Sequence, residues 1–179
     1  MISSTTTTIA ATSTTTREEA DEALRRQIAA DFFVNVAVVD AIVANPSLDG
    51  VDARLAEPFE PGSAAFVSQR EFIEDLVATG DVVIRNEPDL VSVAVERIDL
   101  VGAAPYTEAV VTACEVGNRR RVTPAANSPT GQEIQTAGTG QLFVLRYHEP
   151  VRLSAHGWVS YQSPREAQSY EGVQTCPPE

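Results

Sequence analysis

Lysine is absent from this 179-residue chain, so all thirteen cationic side chains are arginine, set against 25 carboxylates for a formal net charge of −12. A field of that sign repels phosphate backbones and anionic lipid, which excludes non-specific binding to nucleic acid or to a membrane surface. Histidine occurs only at 148 and 156 and cysteine only at 114 and 176. With no Cys-x-x-Cys and no His-x-x-x-His, no metal site is expected. Gly-x-Ser-x-Gly is missing as well, so no elbow exposes an activated serine. Gly138 and Gly140 in "AGTGQ" lack the strand-then-helix setting of a phosphate loop, and no cofactor is expected. Apolar runs are short. The most apolar, "FFVNVAVVDAIVA" from Phe32 to Ala44, holds Asn35 and Asp40 and falls below the roughly twenty residues of a membrane span. It reads as a buried helix that must be covered on several sides.

What is present divides the chain in two. Residues 1–16 hold eleven Ser or Thr and no charge, which predicts a disordered tail or tether, with residues 17–179 forming one domain. The opening lacks the basic and apolar stretches of a signal peptide, and the expectation is a mature chain whose signal has been removed. Thr16-Arg17-Glu18-Glu19 has capping-box spacing and predicts a helix from Arg17 that Asn45-Pro46 stops. Along it, Leu24, Ile28, Phe32, Val36, Val39 and Val43 fall on one stripe. A short helix is expected near Gly50 to Glu57, and a third from Gly62 to Thr79 with Gly80 just beyond its end.

After Gly80 the period changes to alternation. "DVVIRN" reads as a short strand, and "LVSVAVERIDLV" as a long one whose parity slips at Glu96-Arg97, the mark of a bulge. "TEAVVTACEV" returns antiparallel, "GNRRRVTPAANSPTGQEI" reads as a polar loop, "GQLFVLRYHEPVRLS" as a strand with Pro150 at a bulge or edge, and "WVSYQS" as the last strand. Helices first and antiparallel strands second make an α+β domain, a long N-terminal helix and two shorter ones packed on a sheet.

That order resembles the nuclear transport factor 2-like, or cystatin-like, α+β cone. The segments "AVVTACEVGN", "SPTGQEI", "AHGWVSYQ" and the terminal "GVQTC" are similar to those of small exported domains of actinobacteria with this fold. The resemblance spans about residues 17 to 176, with Ala113 standing where an acidic residue is expected. It implies a strongly bent sheet, pairing through the sheet into a homodimer, and a Cys114–Cys176 disulfide. Two cysteines can pair in one way, and a strip holding Gly172, Pro177 and Pro178 needs fastening; the alternative is a buried Cys114 with Cys176 free. A disulfide would place the protein in an oxidising compartment, secreted or tethered to the cell envelope.

The same resemblance implies a pocket between the long helix and the sheet. Relatives with this cone include isomerases, cyclases and hydrolases that enclose a carboxylate there, where burial raises its pKa and suits it to proton transfer. The catalytic candidates are Asp31 and Asp40 on the helix with Tyr106 and Tyr147 as donors, and Phe32, Asn35 and Trp158 are expected to line the pocket. The arginine run Asn118 to Val122 is either a solvated loop facing nearby carboxylates or a contact for an anionic ligand. The helix candidates do not converge by spacing. The expectation is therefore a non-catalytic exported domain that binds a protein partner or a small apolar ligand, with a small enzyme using a helix carboxylate and a tyrosine as the alternative.

Overall fold

The computed structural model describes residues 10–85, 91–138, 140–170 and 175–178. Three helices come first: α1 (Ala10–Ala44), α2 (Val51–Leu55) and α3 (Ala64–Thr79). Eight strands follow: β1 (Val82–Arg85), β2 (Ser92–Val101), β3 (Glu108–Gly117), β4 (Arg119–Thr123), β5 (Ile134–Ala137), β6 (Phe143–Ser154), β7 (Gly157–Ser160) and β8 (Arg165–Tyr170). The α+β class expected from the period change holds. A five-stranded antiparallel sheet runs β2-β3-β6-β7, with β8 also pairing β6, and a three-stranded sheet runs β1-β4-β5.

α1 starts at Ala10, six residues before the capping box at Thr16. Once a helix is nucleated, each added residue gains a hydrogen bond, so even modest formers such as Ser and Thr extend it without a cap. The tail expected over residues 1–16 is thus helical at 10–16, while residues 1–9 lie outside the described residues. Ile28 and Phe32 pack on the sheet with Ile98, Val111, Tyr147 and Trp158, and Ile42 packs on α2 and α3 through Val51, Leu55, Phe66 and Ile73. The third side is open: Phe33 is 44% exposed and Val34 62%. The sequence expectation of cover on several sides is corrected there, because sheet and short helices occupy only two flanks. From Thr16 to Ala44 the helix is also long and apolar enough to cross a membrane by length and composition, which the expectation of no such segment had not allowed.

α3 ends as its glycine foretold. Gly80 sits at φ +71°, and the N–H of Asp81 reaches back to the carbonyl of Leu76. That left-handed residue turns the chain directly into β1.

The segment read as a polar loop instead contains two strands. β4 pairs β1, and β5 pairs β4. Its alternation was masked because its arginines are neutralised by carboxylates outside their own strand. Arg119 meets Asp40 and Glu115, Arg120 meets Glu133, and Arg121 meets Asp75 and Asp81. The arginine run therefore faces carboxylates within the fold. Thr123 and Thr136 also donate to Asp81, which is nearly fully buried. Burial pushes the Asp81 carboxyl up, but the bonds from Thr123, Arg121 and Thr136 outweigh it and hold its pKa below the ordinary carboxylate value.

β2 and β3 shift register between Val95 and Arg97, the bulge that the parity slip predicted. β6 is the central strand, and its second edge is shared: β8 pairs it from Val144 to His148 and β7 from Val151 to Ser154. Glu149 and Pro150 fall in the gap between those partners. A proline there orphans no ladder donor. β7 was expected to be last, and β8 is an addition; the segment between them crosses the gap.

The Cys114–Cys176 disulfide is formed, fastening the C-terminal strip to the outer face of the sheet. Arg146 reinforces it by donating to the carbonyl of Pro177 at 2.5 Å and to the Tyr170 hydroxyl at 2.8 Å. The Gly172 end of the "GVQTC" motif lies outside the described residues. Such a bridge is the chemistry of an oxidising environment.

Candidate functional site

Along one face of β6, Leu145, Tyr147 and Glu149 alternate inward, and Glu115 on β3 stands opposite Leu145. Facing them across a cavity of about 310 Å³ are Phe32, Asn35, Val36 and Val39 of α1. Residues from α3, Ala65, Ser68 and Gln69, close one side, and Pro58 and Phe59 form the rim. That rim is held to β7 by backbone bonds: Glu60 N–H to the Ser160 carbonyl and Ser160 N–H to the Pro58 carbonyl, each 2.9 Å. The "EPFEP" segment thus caps the free edge of β7 instead of merely breaking the chain, and it sets Ser160 in the wall beside Glu149.

The four catalytic candidates separate. Asp31 accepts the Trp158 N–H at 3.1 Å, and one turn later Asn35 donates its amide to the Trp158 carbonyl at 2.8 Å. Together they clamp both backbone groups of an edge residue to α1, so Asp31 is a strand anchor. Gly157 beside it must be glycine: its φ is +97°, and a Cβ there would meet the Asp31 carboxylate at 2.8 Å. Asp40 pairs with Arg85 and, at 3.1 Å, with Arg119. Tyr106 accepts from Arg17 at 3.4 Å and does not line the cavity. Tyr147 does line it.

Of the three pocket candidates, Phe32 and Asn35 are in the wall and Trp158 is not. The indole is 1% exposed and belongs to the core with Ile28 and Val111. A tryptophan after a tight turn has enough area to be drawn into whichever apolar layer its strand faces, and here that is the layer beneath α1.

Sequence reasoning missed the two carboxylates that are buried in the cavity wall. Glu149 is 7% exposed and Glu115 4%. Burial raises the Glu149 carboxyl to about 7, against which a hydrogen bond from Ser160 acts only partly. Glu115 is also raised by burial, opposed by Arg119 at 3.0 Å. Tyr147 lies between the two acids, and burial followed by their charges pushes its hydroxyl up. One signal was available: Glu149 occupies an inward parity position of an apolar strand, next to the Pro150 that marks the gap. A second, smaller cavity of about 280 Å³ lies behind Asp40, Arg85 and Arg119, so the Arg119 side chain is part of the wall of both.

Among the described residues one group of potential metal ligands comes together, Glu96 with Cys114 and Cys176, but both sulfurs are bonded to each other. The histidines are apart. His148 shares a 2.9 Å hydrogen bond with Thr112, and His156 sits in the β6–β7 turn.

No family model and no curated protein matches the sequence. Among solved structures, the fold is similar to the crystal structure of the intermembrane space region of the chloroplast protein ARC6. The TM-score is 0.44 at 14% identity, over 75% of this chain and 90% of that one. Nothing about function is transferred at that level of likeness.

Proposed function

We propose that this chain is an exported, non-catalytic domain that holds a small, largely apolar molecule in the cleft between α1 and the sheet. The observation that carries the reading is the cleft itself: apolar walls from Phe32, Val36, Val39, Phe59 and Leu145, with Glu149, Ser160 and Tyr147 as a few enclosed polar groups. That composition is typical of small-molecule sites. The disulfide supports export, and the resemblance to the nuclear transport factor 2-like cone supports a ligand in this place. In this reading α1 is a core helix and not a span, since Ile28, Phe32, Ile42 and Val43 are buried within the domain. The Ser/Thr-rich start serves as a tether, and any homodimer pairs through the sheet.

Native mass spectrometry of protein purified from an exporting host tests this. The expected result is a retained small molecule in the wild type and none in Ser68→Trp, whose indole would fill the cleft. Absence of any adduct, together with apolar dye binding that Ser68→Trp leaves unchanged, would remove the reading.

A second reading, a small enzyme, is favoured by one observation: a carboxyl held near pH 7 shares an enclosed face with a tyrosine. Glu149, not a helix aspartate, would then take a proton from carbon beside a carbonyl that Tyr147 polarises. Deuterium uptake from heavy water into a cyclic ketone, followed by NMR, tests it; equal uptake with wild type and Glu149→Gln ends it.

A further inference from the structure

The charges around the cleft do not balance locally. Arg85, Asp40, Arg119 and Glu115 form one continuous chain of alternating sign, two positive and two negative. Glu149 stands outside it. Among the described residues its partner is the neutral hydroxyl of Ser160, and no arginine is paired with it.

The groups that face Glu149 sharpen the point. From its own strand comes Tyr147, from β3 Glu115, and from β4 Arg119, already shared between two acids. α1 and α3 present only uncharged side chains to the cavity. An ionised carboxylate shielded from water without a cation is unfavourable, and among the described residues none pairs a cation with it. The rest of the wall suits one brought from outside. Phe32, Phe59 and Tyr147 carry aromatic rings, whose faces attract ammonium groups, and about 310 Å³ is at the small end of ligand sites.

The geometry points to a small apolar amine, bound as its ammonium ion with Glu149 as counter-ion, as the class of molecule this cleft takes. The assignment rests on the binding function proposed above and adds the charge of the ligand. An acidic ligand would meet two buried carboxylates and an arginine that is already engaged. A neutral ligand would leave Glu149 without a cation. Because burial holds the Glu149 proton to about pH 7, an entering ammonium displaces it. Affinity therefore rises with pH from 5 to 7 and levels above that, while the amine itself stays charged.

Isothermal titration with three probes of one shape tests this: phenethylamine, phenethyl alcohol and phenylacetate. The expected order is amine first, by about tenfold or more over the alcohol at pH 8, with the anion weakest. At pH 6 the heat of amine binding should vary with the ionisation enthalpy of the buffer, reporting release of about one proton. Glu149→Gln should bind amine and alcohol alike and lose the pH dependence, while Asp99→Asn, the same loss of charge at an exposed pair with Arg97 on β2, keeps the preference. Alcohol bound as tightly as amine, or a preference that survives Glu149→Gln, would overturn the charge assignment and leave the binding function standing. Failure of all three probes to bind would overturn both.

Discussion

Replacing Glu149 by Gln removes one charge from the cavity while keeping its shape and the acceptor for Ser160, so the change in stability isolates the electrostatic term. The wild-type carboxyl titrates at about 7 in the fold against an ordinary 4.5, the difference coming from burial. Between those values the folded chain keeps a proton that the unfolded chain has released. Stability contributed by this group is therefore fully present below about pH 4.5 and lost as pH rises through 7. The full loss is about 3 kcal/mol, at about 1.4 kcal/mol per tenfold change in proton affinity. Glu149→Gln should match the wild type at pH 4.5 and exceed it by up to about 3 kcal/mol at pH 8. For a domain of this size that is a rise in Tm of about 6–12 °C. Thermal and urea unfolding of both proteins across pH 4.5–8 measures it. A gap that is the same at both ends of the range, or a wild type that is the more stable at pH 8, would show that Glu149 is not an enclosed, uncompensated carboxylate.

Cys176→Ser opens a bridge spanning 62 residues, for which the chain-entropy scale gives a loss of about 4 kcal/mol; urea unfolding measures it, and limited proteolysis should now clip the C-terminal strip. Asp31→Ala leaves the Trp158 N–H without its acceptor and should cost about 1–3 kcal/mol. Gly157→Ala should cost about 2 kcal/mol from its positive φ and the collision with Asp31. The double variant should lose less than the sum, since removing the carboxylate makes room; additivity within about 0.5 kcal/mol would refute the contact. Asp81, held below the ordinary carboxylate range, contributes stability that is present above about pH 4 and lost as pH falls through its lowered pKa. Asp81→Asn should therefore lose stability at pH 7 and show a flatter acid limb in a pH series of unfolding curves.

The sequence by itself determined the local architecture. Helical spacing placed the α1 stripe, Gly80 stopped α3, and the parity slip at Glu96-Arg97 marked the bulge, because each of these is decided by backbone geometry within a few residues. The Cys114–Cys176 pairing was legible because two cysteines leave one intramolecular partner each. Only the tertiary structure decided which carboxylates are structural and which are enclosed. Asp31 and Asp40 look alike on the helix, yet one holds an edge strand through Trp158 and the other an arginine pair contributed by β1 and β4. Glu149 looks like a surface residue between His148 and Pro150 until β8 and β7 leave β6 on either side of it and Ser160 swings in beside it. The arginine run read as loop for the same reason: Asp40, Asp75 and Asp81, which neutralise it, lie 40 or more residues away. Burial and pairing of charge depend on what long-range packing brings together, and no short-range pattern in the sequence encodes that.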